Sequence, residues 1–177
     1  YTYLAALGFA QDKFGDDQDS IDAFLRDLLG QVKVFDSGGR GATTTFVERG
    51  LGDVLLTFES EVNNIPTINP DKNFQVVVPK VSFLAEFPVT WIDKNIEKKG
   101  TEDVAQAYLK HLYSEEAQRM LAGFNYRVHN ETVKAEVADK FPELKLLPVQ
   151  EIAGSWENAM KTHFASGGKL DQLQRRR

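Results

Sequence analysis

Asp36-Ser37-Gly38-Gly39-Arg40-Gly41-Ala42-Thr43-Thr44-Thr45 is the stretch on which the reading of this chain turns. It follows a short β-branched run, Val32-Lys33-Val34-Phe35, and leads into a helical pattern from Thr43 to Arg49. A strand that turns through glycines into a helix leaves several backbone N–H groups unpaired and pointing one way, where the helix dipole adds partial positive charge. Such a place suits a small anion. Gly38, Gly39 and Gly41 carry no side chain to hold an anion away from the backbone. The stretch also has a plainer reading, a tight turn that uses glycine for its geometry alone.

Outward from this loop, helices and short apolar runs alternate. Tyr3, Leu4, Leu7 and Ala10 recur at helical spacing up to Gly15, and Ile21, Phe24, Leu25, Leu28 and Leu29 do so after a capping cluster at Asp17–Ser20. Asp53–Phe58 and Phe74–Val78 read as strands, with Phe83–Ile92 a further extended stretch. Asn63–Asn73, with Pro66 and Pro70, reads as a loop. Beyond it come helices opened by Thr101, Ser114 and Asn130, a strand within Leu144–Val149, and a long helix over Ile152–Phe164. The pattern predicts an α/β fold with a mostly parallel sheet flanked by helices. The expected division is a first part, 1–62, that carries the anion loop and a return segment with the C-terminal helices, 63–177.

At 177 residues, 42% hydrophobic and 27% charged, the chain can bury the core of one ordinary domain or two small lobes. Its net charge of −5 argues against a sequence-independent nucleic-acid binder, which needs a basic face. Acidity leaves an anion ligand open, because neutral backbone donors can hold one. The absence of cysteine excludes disulfides, thiolate metal sites and cysteine nucleophiles. No run reaches the roughly 18 apolar residues that a membrane helix needs. The chain opens inside a helical apolar pattern without an initiator Met, as a piece of a longer polypeptide would.

No catalytic set stands out. His111, His129 and His163 lack the two-ligand spacing of zinc helices and read as surface or capping residues. There is no Gly-x-Ser-x-Gly elbow, and no Gly-Lys-Ser/Thr closes the glycine loop as in a nucleotide site. Neither an enzyme nor a bound cofactor or metal is expected. Arg40 and Arg49 flank the loop and suit either direct oxyanion contact or a salt bridge that holds the loop, the bridge being the plainer role. Trp91 and Trp156 read as packed aromatics, and Arg175-Arg176-Arg177 as a solvated tail.

Asp36-Ser37-Gly38-Gly39-Arg40-Gly41, Thr45-Phe46-Val47-Glu48-Arg49-Gly50 and Gly52-Asp53-Val54-Leu55-Leu56 together resemble the bacterial periplasmic sulfate-binding proteins. The likeness continues through Leu84-Ala85-Glu86, Asp93-Lys94, Ala107-Tyr108-Leu109-Lys110, Leu112-Tyr113-Ser114 and Tyr126-Arg127. It resumes at Phe141-Pro142 and ends at His163-Phe164-Ala165 with Gly167-Gly168. The resemblance implies part of a type II periplasmic-binding fold, without its N-terminal lobe. It implies a periplasmic receptor of a sulfate or thiosulfate ABC importer, with the oxyanion and the importer permease as partners and no cofactor. By the same resemblance the backbone N–H of Gly39 donates to the anion, with Ser37, Gly38 and Arg40 around it. Enterobacterial members add an indole N–H at the position of Phe58, which has no donor. A Ser-Gly-Gly-Ala-Arg stretch with further donors lies, in the family, just ahead of the segment that matches Tyr1–Gly8. Three alternatives stay open: another oxyanion such as phosphate or molybdate, an α/β enzyme that uses the loop for a substrate phosphate, and an inactive fragment that self-associates.

Overall fold

The computed structural model describes residues 1–174, so the basic tail lies outside the described residues. The chain divides into two compact units, the first of residues 1–57, 75–85 and 143–177 and the second of 58–74 and 86–142.

The first unit is built on helix α1 (Thr2–Phe14), where Leu4, Leu7, Gly8 and Ala10 form one buried face. Gly15, at φ 60°, ends it. Helix α2 (Gln18–Gln31) follows, capped by Asp17, whose carboxylate accepts from the Ser20 amide at 3.1 Å. Two short strands, β1 (Val81–Phe83) and β2 (Lys145–Leu147), pair in parallel with Val81 opposite Lys145 and Phe83 opposite Leu147. Leu4, Leu7, Ile21, Leu25, Val81, Phe83 and Leu147 share one core with Val149 and Ile152 of helix α9 (Val149–Ala153). Gly8 lets α1 come close to that layer: a Cβ there would stand 2.9 Å from Ile152 Cδ1 and 3.0 Å from Leu147 Cδ1. Leu4 is fully buried, so truncation to alanine would cost about 2–5 kcal/mol.

The second unit is helical. It holds α4 (Glu59–Ile68), α5 (Asp93–Lys99), α6 (Glu102–His111), α7 (Glu115–Gly123) and α8 (Glu131–Glu136), the last followed by a 3₁₀ turn at Ala138–Lys140. Ala122, Val128 and Val133 form its small core. Gln118 staples it from within: its amide nitrogen donates to the Leu112 carbonyl at 2.8 Å, and its oxygen accepts from the His129 amide at 2.8 Å. Arg127 forks onto both oxygens of Glu59, at 2.6 and 2.8 Å, and also donates to the Pro142 carbonyl, fixing the start of α4.

Several sequence expectations need correction. Val32–Phe35, Asp53–Phe58 and Phe74–Val78 form no strand, and Phe35, Val54 and Val77 are 63%, 76% and 77% exposed. Their composition favours strands, but a strand needs a neighbour for its ladder, and no described segment pairs with them. Asn63–Asn73 is no simple loop, because α4 runs through Pro66 to Ile68. Of Phe83–Ile92 only Phe83 lies in a strand. The long C-terminal helix is broken at Gly154, φ 75°, into α9, a short α10 (Trp156–Ala159), and a π turn at Met160–Phe164, ahead of α11 (Lys169–Gln174). What holds is an α-rich fold with a small parallel sheet.

Candidate functional site: the open start of helix α3

Helix α3 begins at Gly38 and runs to Val47, a full turn earlier than the Thr43 start expected from sequence. Gly38 sits at φ 84°, a conformation that side chains with a Cβ disfavour, and this lets the chain swing from the exposed Asp36-Ser37 segment straight into the helix. The three glycines are therefore not a loop ahead of the helix but its first turn. Gly41 owes nothing to crowding, since a Cβ there would meet Asp36 Cβ at an ordinary 3.6 Å.

The residues around that turn hold it rather than close it. Thr45, buried, donates its hydroxyl to Asp36 Oδ1 at 3.0 Å, tying the entering chain to the helix body. Thr43, also buried, donates to the Gly39 carbonyl at 3.0 Å. Ser37 occupies the N-cap position, with φ −82° and ψ 91°, yet its side chain makes no cap hydrogen bond among the described residues. The first turn of α3 carries no acidic residue either. Among the described residues, the amides of Gly38, Gly39 and Gly41 donate to no carbonyl outside the helix. Several helix starts elsewhere in the chain are closed by a side chain. Ser114 caps α7, Asn130 caps α8 and Ser155 caps α10, each accepting from the amide three residues on. Thr101 ahead of α6, expected as a cap, does not cap by its side chain, but α6 opens on Glu102 and Asp103, whose charges complement its dipole. Gly38 is exposed and Gly39 half-buried, so the unpaired donors of α3 are within reach of solvent.

The structure thus brings Ser37, Gly38, Gly39 and Arg40 together in one turn. Phe58 belongs to the second unit, where it precedes α4 as the N-cap residue and its ring lies 6.0 Å from that of Phe87. Arg49 is exposed and forms no ion pair among the described residues, which removes the salt bridge expected of it. Two histidines lie on the surface, His129 and His111, the latter near Ser114. His163 departs from that expectation: it is half-buried and hydrogen-bonded to Tyr3. Trp156 packs as expected, edge-on to Phe83 at 5.9 Å and to Tyr1 at 5.7 Å. Among the described residues no group of three His, Asp or Glu side chains could hold a metal ion, and no helix is long and apolar enough to cross a membrane. The residues that sequence reasoning missed are Asp36 and Thr45 as a clasp, whose only signal is a carboxylate before the glycines and a hydroxyl nine residues later.

The first turn of α3 is thus a helix start with neither a side-chain cap nor an acidic residue among the described residues. The family model for bacterial extracellular solute-binding proteins matches residues 2–127, and the chain belongs to that family, one of binding proteins and not of enzymes. It is 54% identical to the thiosulfate-binding protein of Escherichia coli K12, over 98% of this chain and 51% of the relative. The sulfate-binding protein of the same organism is 45% identical over 99% of this chain and 54% of its own length. The thiosulfate-binding protein of Pseudomonas aeruginosa PAO1 is 44% identical over 98% of this chain and 52% of its own. The chain spans about half the length of these curated relatives.

Proposed function

We propose that this chain contributes one side of a sulfate or thiosulfate site, as part of a periplasmic type II binding protein that delivers the anion to an ABC importer permease. The observation that carries the reading is the helix start at Gly38–Gly41, left open by Ser37 in a chain so similar to named thiosulfate- and sulfate-binding proteins. In this reading the Gly39 amide donates to a ligand oxygen, with Ser37, Gly38 and Arg40 shaping the turn. Amide donors carry no acceptor for a ligand proton, so they favour a tetrahedral anion that is fully deprotonated. Phe58 supplies no indole donor, and one hydrogen bond fewer to a charged ligand weakens binding by about 1.5–3 kcal/mol. Calorimetric titration with sulfate, thiosulfate, phosphate and molybdate tests it. Heat from the two sulfur oxyanions, well above that from phosphate, is the expected result, and a preference for phosphate or molybdate would move the ligand class.

A second reading rests on a separate observation. Phe35, Val54 and Val77 stand exposed on segments of strand-like composition outside any helix or strand, a combination that invites pairing with another copy. Self-association of the chain through these segments would show as concentration-dependent sedimentation, and a monomer at every concentration would refute it.

A further inference from the structure

We propose that the hydrogen bond between Tyr3 and His163 is a pH-sensitive latch that holds the C-terminal segment Trp156–Gln174 against helix α1 and loosens on acidification. The contact joins residues 160 apart in sequence, both within the first unit: Tyr3 Oη stands 2.9 Å from His163 Nδ1, and the two rings lie 5.5 Å apart. Tyr3 is 9% exposed, and Phe164 packs edge-on to it at 5.6 Å, so the latch sits in the unit's main core. His163 lies in the π turn, whose wider winding is marked by the Ala165 amide bonding to the Met160 carbonyl five residues back.

The surrounding charges give the latch its direction. Lys169 of α11 bears on His163, Asp22 of α2 bears on Tyr3, and Lys169 and Asp22 are themselves paired across the two helices. Lys161, on the π turn itself, is exposed, and Asp171 of α11 is engaged by the Gly167 amide. Burial first, and the nearby Asp22 second, push the Tyr3 phenol up to about 12, so it keeps its proton and can donate it. With the neutral imidazole in its Nε2–H tautomer, Nδ1 accepts that proton. Protonation removes that lone pair and turns Nδ1 into a donor. The Tyr3 hydroxyl must reverse, its own proton is left without the acceptor, and a cation is placed in a half-buried position near Lys169. Burial and Lys169 accordingly hold His163 below the ordinary histidine value of 6.5. Because the opened segment takes up the proton more readily than the docked one, docking is strongest above about pH 6.5 and is lost as pH falls through the window below it.

Two measurements on the chain test the latch: the His163 ring resonances followed from about pH 5 to 8, and amide exchange over 156–174 corrected for its intrinsic pH dependence. The expected result is a His163 titration below 6.5, with exchange of the segment rising by up to about tenfold per pH unit between the open and docked titration points. Tyr3→Phe should move the His163 titration upward, because the neutral ring loses its donor. His163→Asn, which keeps an acceptor near Nδ1 but cannot titrate, should flatten the pH slope of exchange. A His163 titration at or above the ordinary value overturns the proposal. So does an unchanged titration in Tyr3→Phe, which keeps the test decisive even should the asparagine variant fail to fold.

Discussion

Two serines stand at the start of two helices, and the chain uses them in opposite ways. Ser114 is extended, at φ −67° and ψ 154°, and its hydroxyl accepts from the Ala117 amide at 3.2 Å, closing α7 on itself. Ser37 precedes a glycine held at φ 84°, and at ψ 91° its side chain makes no such bond. The residue type is the same, so the difference lies in the backbone that follows. A helix start satisfied from within contributes stability, whereas one left open keeps directional donors for a ligand. The lesson is that an N-cap residue signals a cap only when the next residue is in ordinary helical conformation.

The comparison breaks most sharply at the donors themselves. Gly39→Pro deletes one amide proton at a helix position where proline's φ is tolerated. If that amide grips the anion, affinity for sulfate or thiosulfate falls by about 10–150-fold while the thermal midpoint moves little. Phe58→Trp is the converse experiment. An indole N–H reaching the anion would tighten binding by a similar factor, about 10-fold or more, read by calorimetry. Gly38→Ala comes next: forcing a Cβ into the left-handed region costs about 1–2 kcal/mol and should weaken folding and anion binding together.

Smaller effects sharpen the contrast between the serines. Ser114→Ala should lower the stability of the second unit by about 1 kcal/mol in a denaturant titration, the usual worth of a cap. Ser37→Ala should change it by less than about 0.5 kcal/mol, since no cap bond is lost. Smallest of all is Gly41→Ala, where a Cβ meets Asp36 at an ordinary distance and alanine favours the helix, so stability should hold or rise slightly.

The same contrast explains what could be read from the sequence. Helices α1, α2, α7 and α8 were legible because their signals are local: Leu4, Leu7 and Ala10 repeat at helical spacing, and Asp17, Ser114 and Asn130 sit where a cap belongs. The turn at Ser37–Gly41 was legible as a helix start for the same reason, although the helix begins five residues sooner than its threonines suggest. One strand was as well, since Lys145–Leu147 falls within the expected Leu144–Val149, but the others were not. Val34, Val54 and Val77 have strand composition, but pairing is a property of two segments, and among the described residues only Val81–Phe83 and Lys145–Leu147 find one another. Pro66 advertised a loop, yet the helix accommodates it, with Ile65 buried just before. The partner of His163 was out of reach, since Tyr3 lies at the opposite end of the chain.

The most direct test of the central claim is the amide spectrum of Gly38, Gly39 and Gly41 during a sulfate titration. A saturable downfield shift of the Gly39 proton, with smaller shifts at its neighbours and none at the capped Ala117 amide, is the result expected of an open helix start that holds an oxyanion. A Gly39 resonance that stays fixed in excess sulfate and excess thiosulfate would contradict it.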